Sequence, residues 1–316
     1  ILSLRKNFAR YVFTRDDIIP MSILHLNIGD CEWSSESLTS FLIAVCRWKR
    51  VYPFALDLDH THVESWFDIL AHLPLSGLLS VITELNMSYN EMNADCFEQL
   101  LQFLETQSPV LSHSSKLMYL NLSGCFKDQI AESLQQLLRF VLMRELWGLS
   151  ICEIAPHHNN SDLMNSLLSK LAKLQGLTSL DFSGNLIQET TIPAVLKLLR
   201  DSPSISEISI DRCQLEDKEQ MAYLYESILL SPNILAIRKP IEDLKSLSEE
   251  PNIDNINALL KTKRNHSTVF DRLCVYLKLS GDFTTRIATP IFRFHETKQA
   301  EERLHLNHIE LANKEF

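Results

Sequence analysis

One phrase recurs along this chain, and it limits the folds open to it more than any other feature. In "LTSLDFSGNLI", Leu177, Leu180 and Phe182 precede Asn185, and Ile187 follows. The frame reads apolar-x-x-apolar-x-apolar-x-x-Asn-x-apolar. "ISEISIDRCQL" repeats it with Ile205, Ile208, Ile210, Cys213 and Leu215, and "ITELNMSYNEM" with Ile82, Leu85, Met87, Asn90 and Met92. "LMYLNLSGC" adds Leu117, Leu120, Leu122 and Cys125. Looser copies place Leu24 and Leu26 before Cys31, Leu56 and Leu58 before Thr61, Leu146 before Cys152, and Ile237 near the end of the run. The second apolar position of each copy falls at 24, 56, 85, 120, 146, 180, 208 and 237, in steps of 26 to 35 residues. Self-similarity at such a period marks a stacked-repeat architecture.

Apolar residues two apart, such as Leu180 and Phe182, share one face of a short strand. A single unit cannot bury that face, but neighbouring units stacked together form one continuous core. Asn90 and Asn185 stand where the chain must turn, and a buried amide there can donate to and accept from turning backbone groups. Cysteine at 125 and 213 is less capable of this, although it is small and suited to a core. Between the copies run helical stripes, among them "SESLTSFLIAVCRW", "ADCFEQLLQFLETQ", "TIPAVLKLLR" and "EQMAYLYESILL". Pro193 suits a helix start, while Pro109, Pro203 and Pro232 suit breaks after helices. A strand returning through a helix fits parallel stacking, with helices outside and strands within.

These phrases resemble the leucine-rich repeat family, specifically its long-repeat, ribonuclease-inhibitor-like branch, over about residues 20–240. The resemblance implies an α/β solenoid, a horseshoe of parallel inner strands and outer helices that generally holds a protein. Three regions are expected: an N-terminal cap or truncated repeat over 1–20, the repeat domain over 21–240, and a helical C-terminal cap or extension over 241–316. "NIDNINALLKTKRN" and "STVFDRLCVYLKLS" carry helical stripes suited to covering the last open core, and "HETKQAEERLHLNHIELANKEF" is a charged terminal segment.

Residues flanking the inward apolar ones face the inner side of the stack. They give a partner-binding band of Asp57, Asp59, Glu84, Asn86, Tyr89, Tyr119, Asn121, Trp147, Asp181, Glu207, Asp211 and Arg212. Aromatic anchors in polar surroundings fit a protein interface, although solubility alone also favours exposed polar side chains. Trp147 reads equally as an exposed anchor or as a filler of the irregular copy around "WGLSIC". The segments 106–116 and 152–162 read as surface excursions.

The 316 residues carry a formal net charge of -10, with 45% hydrophobic and 22% charged residues, a globular composition. Residues 251–316 hold ten Lys or Arg and eight Asp or Glu, so the acidity lies in the first 250. An acidic body disfavours nucleic-acid backbones and suits a protein partner with a basic surface. Seven cysteines without a CxxC pair read as free thiols in a reducing, cytoplasmic compartment, which for a host-directed bacterial effector would be the host's. No run approaches the roughly 20 apolar residues of a membrane-spanning helix. "DLDHTH" brings Asp57, Asp59, His60 and His62 together without metal-ligand helical spacing, and no phosphate-cradling glycine motif or nucleophile elbow occurs. No metal, cofactor or catalytic residue is expected. The functional expectation is a non-catalytic interaction module in a scaffold, adaptor or effector. The alternative is a small-GTPase regulator acting through Arg212.

Overall fold

A computed structural model describes residues 2–3, 8–9, 25–47, 54–73, 82–106, 117–128, 130–143, 146–154, 161–174, 176–215, 217–248 and 253–266. All belong to one compact unit within residues 1–267. The expectations for Pro109, for 106–116 beyond its first residue, and for the helical segments after 266 therefore lie outside the described residues.

The inner layer is one nine-stranded parallel sheet, whose strands follow one another in the order β1, β3, β5, β6, β7, β8, β9, β10, β11. They are β1 (Leu2–Ser3), β3 (His25–Asn27), β5 (Phe54–Asp57), β6 (Ile82–Asn86), β7 (Tyr119–Asn121), β8 (Gly148–Ser150), β9 (Ser179–Asp181), β10 (Glu207–Ser209) and β11 (Ala236–Ile237). A minor pair joins β2 (Phe8–Ala9) to β4 (Glu32–Trp33). The outer layer holds α1 (Ser35–Arg47), α2 (Trp66–His72), α3 (Ala94–Thr106), α4 (Ile130–Met143), α5 (Ser161–Leu171), α6 (Ile192–Asp201) and α7 (Lys218–Leu230). Two more helices follow, α8 (Ile241–Ser246) and α9 (Ile253–His266). Pro193 lies in the first turn of α6, where its missing N–H leaves no bond unmade.

Register shows why the frame recurs. Leu2, Leu26, Leu56, Leu85, Leu120, Leu149, Leu180, Ile208 and Ile237 are successive Cα partners, one per rung. From Leu26 to Ile237 these residues belong to one buried cluster running the length of the stack.

Two copies need re-registering. In the copy before Cys31 the column residue is Leu26 rather than Leu24, which brings Cys31 into the strict asparagine position. The irregular copy is centred on Leu149 rather than Leu146, so Ile154, not Cys152, takes that position. Its steps become 29 and 31 residues in place of 26 and 34. The stack is more regular than a frame tied to the first leucine of each phrase suggests. The fold is a leucine-rich-repeat-type solenoid.

Candidate functional site on the inner face

Two devices recur where the rungs turn. One residue past the column leucine, a side-chain oxygen accepts the backbone N–H two residues on. The pairs are Asn27 with Gly29 (3.1 Å), Asp57 with Asp59 (3.1 Å), Asn86 with Ser88 (3.0 Å), Asn121 with Ser123 (3.0 Å) and Asp181 with Ser183 (3.1 Å). The second device is the asparagine ladder. Asn185 Nδ2 donates to Phe182 O at 2.7 Å and to Ile151 O of the preceding rung at 2.9 Å, and its Oδ1 accepts Ile154 N–H at 2.8 Å. Asn90 makes the same three bonds, to Met87 O, Leu58 O and Thr61 N–H. Cys125 keeps one of them, its Sγ donating to Met87 O at 2.9 Å.

Between the two devices the backbone passes through the left-handed region. In seven consecutive rungs the residue before the asparagine position has φ between 48° and 72°: Asp30, His60, Tyr89, Gly124, Glu153, Gly184 and Arg212. For non-glycine residues this conformation costs roughly 1–2 kcal/mol. The two glycines are the gaps in this column, and neighbouring side chains fill them. A Cβ on Gly124 would lie 2.5 Å from the Tyr89 ring, and one on Gly184 would lie 2.6 Å from Glu153 Cγ. Over Gly184, Arg212 Nη1 meets Glu153 Oε1 at 2.6 Å, and the guanidinium also donates to the Tyr89 hydroxyl. Burial first, and then the Glu153 carboxylate, holds the Tyr89 phenol above its ordinary pKa. His60 stacks on Tyr89 with ring centroids 4.4 Å apart, and its Nδ1 lies 3.2 Å from Asp59 Oδ2.

The expected band thus divides in two. Around Leu26, Leu56 and Leu85 the inner-face residues Asp57, Asp59, Glu84 and Asn86 are buried, together with His25, Asn27 and Ala55. From Leu120 to Ile208, Tyr119, Asn121, Glu207 and Asp211 are partly open to solvent, as are Ser150 and Ser179, while Asp181 is buried. Tyr89 is half-buried and Arg212 exposed. Asp211 has a second task, its carboxylate accepting the N–H groups of Ile241, Glu242 and Asp243 at 3.0–3.1 Å at the start of α8. Trp147 stands two residues before its column leucine, half-buried at the N-terminal rim of the sheet, where its carbonyl receives Thr178 and Ser179 N–H. Sequence reasoning missed Glu153. A frame centred on Leu149 places it in one column with Tyr89 and Arg212.

Glu84 stands apart chemically. It is 2% exposed, its Oε2 has no hydrogen-bond partner, and burial pushes its carboxyl up to about 8. Burial likewise pushes the Cys96 thiol up to about 11 and the Cys125 thiol to about 12, which opposes thiolate chemistry. Among the described residues no group of three or more His, Cys, Asp and Glu is placed to hold a metal ion, and no helix is long and apolar enough to cross a membrane. Arg212, the candidate GTPase-directed arginine, already has its guanidinium engaged by Glu153.

No protein-family model and no curated protein sequence matches the chain. Among solved structures it is similar to the leucine-rich repeat-containing protein LegL7 from Legionella pneumophila, at 16% identity and a TM-score of 0.45, covering 77% of this chain and 83% of that one. It is also similar to an internalin from Listeria monocytogenes, at 17% identity and a TM-score of 0.26, covering 72% and 73%. The fold assignment rests on the register and ladders above rather than on these overlaps.

Proposed function

We propose that this chain is a non-catalytic protein-binding module whose partner docks on the C-terminal half of the inner face. The supporting observation is the division of that face into buried rungs at Leu26–Leu85 and partly open rungs at Leu120–Ile208, where Tyr119, Asn121, Ser150, Ser179 and Glu207 reach solvent while Gly148, Asp181 and Ser209 are buried. Tyr119 and Asn121 begin the open surface, Glu207 and Asp211 end it, and Tyr89 and Arg212 border it. Trp147 adds an aromatic at the rim. Aromatic and arginine side chains held by their surroundings lose little freedom on binding, which favours them as anchors. Asp57, Asp59, Asn86 and Asp181 contribute by building the turns beneath this surface.

A scaffold, an adaptor and a host-directed effector all need this binding step, and the buried thiols agree with work in a cytosol. The test is affinity capture with mass spectrometry, comparing wild type, a Tyr119→Ser/Glu207→Lys double variant and the outer-helix variant Tyr223→Ser. All three should give the same circular dichroism. The inner-face double should lose the partners that Tyr223→Ser retains; an unchanged captured set would reject docking on this face.

A further inference from the structure

Part of the outer layer carries a charge opposite to that of the whole chain. In α4, α5 and α6 the acids sit in or just before the first turn, as Glu132, Asp162 and Glu189. Over the remainder of these helices and their closing turns, 133–143, 163–174 and 190–204, the charges are Arg139, Lys170, Lys173, Lys197 and Arg200 against Asp201. Lys170 is partly exposed and the other four cations fully so, because each helix turns leucines such as Leu138, Leu168 and Leu198 to the core. The Ser202 hydroxyl donates to Ala172 O at 3.1 Å, which sets the turn holding Lys173 beside the end of α6. On its other side α5 packs on α4.

Most of this charge is unneutralised. Arg200 Nε meets Asp201 Oδ1 at 3.0 Å, but among the described residues no carboxylate lies within ion-pairing distance of Arg139, Lys170, Lys173 or Lys197. A helix C-terminus favours cations in its last turn, which accounts for Lys170 and Arg200. Arg139 and Lys197 precede that turn and Lys173 follows its helix, so the dipole does not explain them. We infer that the outer face of α4, α5 and α6 is a second docking surface, whose occupant is an acidic segment of a partner protein. Neighbouring helix axes stand about 8–10 Å apart, so the cations span roughly 20 Å. An extended segment of about six residues, at about 3.3 Å each, has that reach. Such a segment meets this patch alone. A nucleic acid or a bilayer would extend more than a Debye length of about 8–10 Å past it, over a chain of net charge -10. Among the described residues of these helices, Leu142 is the one large apolar side chain exposed, which gives a bilayer little to take up.

Fluorescein-labelled octaglutamate is the probe, read by fluorescence anisotropy against the full chain. Wild type should bind it, with affinity falling about tenfold as salt rises through the physiological range. Lys173→Glu/Lys197→Glu should bind about tenfold more weakly than wild type. The control is Lys127→Glu/Lys261→Glu, which reverses two exposed cations elsewhere and changes net charge by the same amount. It should stay within about threefold of wild type, and circular dichroism should match in all three proteins. Equal affinity in the two doubles, or no octaglutamate binding by wild type, overturns the surface. Phosphatidylserine vesicles or a short DNA duplex bound more tightly than octaglutamate would overturn its assignment to a protein segment. None of these substitutions touches Tyr119 or Glu207, so inner-face docking is decided by its own variant.

Discussion

At the scale of single residues, this protein separates positions that build turns from one that does not. Asn185 satisfies two carbonyls and one N–H from two rungs, so its whole hydrogen-bonding capacity serves the stack. That role was legible in sequence, because an amide recurring after two alternating apolar residues has few other uses. The burial of Asp57 and Asp181 was not, since alternation gives the side of a strand and says nothing of how deeply a short acid folds back onto its own turn. Glu84 shares their face but not their bonds. Burial pushes its carboxyl from the ordinary 4.5 up to about 8, so between these pH values the folded state holds a proton that the unfolded chain has released. Stability is fully present below about pH 4.5, falls as pH rises and levels off above 8, with a change of roughly 5 kcal/mol at most. Urea unfolding at pH 5 and pH 8 should show this fall in wild type and little of it in Glu84→Gln, which should be the more stable protein at pH 8. Equal pH dependence in both would mean that Glu84 is not the group responsible.

At the scale of elements, the frame slipped in two copies, the one that ends at Cys31 and the one whose turn residue is Ile154. Leu146 and Leu149 are both buried, and only pairing with Leu120 and Leu180 distinguishes the column residue from the one that leads into the strand. The end of the ladder was equally hidden. Beyond β10 no asparagine follows, and two side chains divide its work. Both Asp243 oxygens accept Cys213 N–H at 3.2 Å, while the Tyr225 hydroxyl donates to Asp243 Oδ2 at 2.6 Å and lies 3.1 Å from Ile210 O. No spacing rule joins residues 213, 225 and 243. Asp211 sets this arrangement by capping α8, the helix that carries Asp243. Asp211→Ala should therefore cost about 1–2 kcal/mol of stability, as lost N-caps do. Asp211→Asn, which keeps an acceptor oxygen, should recover most of it. Chemical denaturation of the three proteins decides the matter, and an Asp211→Ala midpoint equal to that of wild type would remove Asp211 from this role.

At the scale of the whole molecule, a solenoid is stable only if its last rung is covered, because each unit shares its core with the next. Among the described residues, α8 and α9 follow the last rung and pack on it. Ile256 and Leu260 of α9 are buried in the same cluster as Leu224, Leu229 and Ile237. Lys263 of α9 donates to Ser231 O at 2.8 Å and also to Ile234 O, satisfying carbonyls at the end of α7 and the approach to β11. Burial lowers the Lys263 pKa. Ending the chain after residue 240 strips these contacts from the final rungs and leaves Cys213 N–H and the Tyr225 hydroxyl without their Asp243 acceptor. Unfolding should then lose cooperativity from that end first. Hydrogen exchange on the shortened chain should show protection falling in β10, β11 and α7 while β6 and β7, four rungs away, keep theirs. Uniform loss across all strands would mean that the array folds as one indivisible unit. Unchanged protection in β11 would mean that α8 and α9 are not its cover.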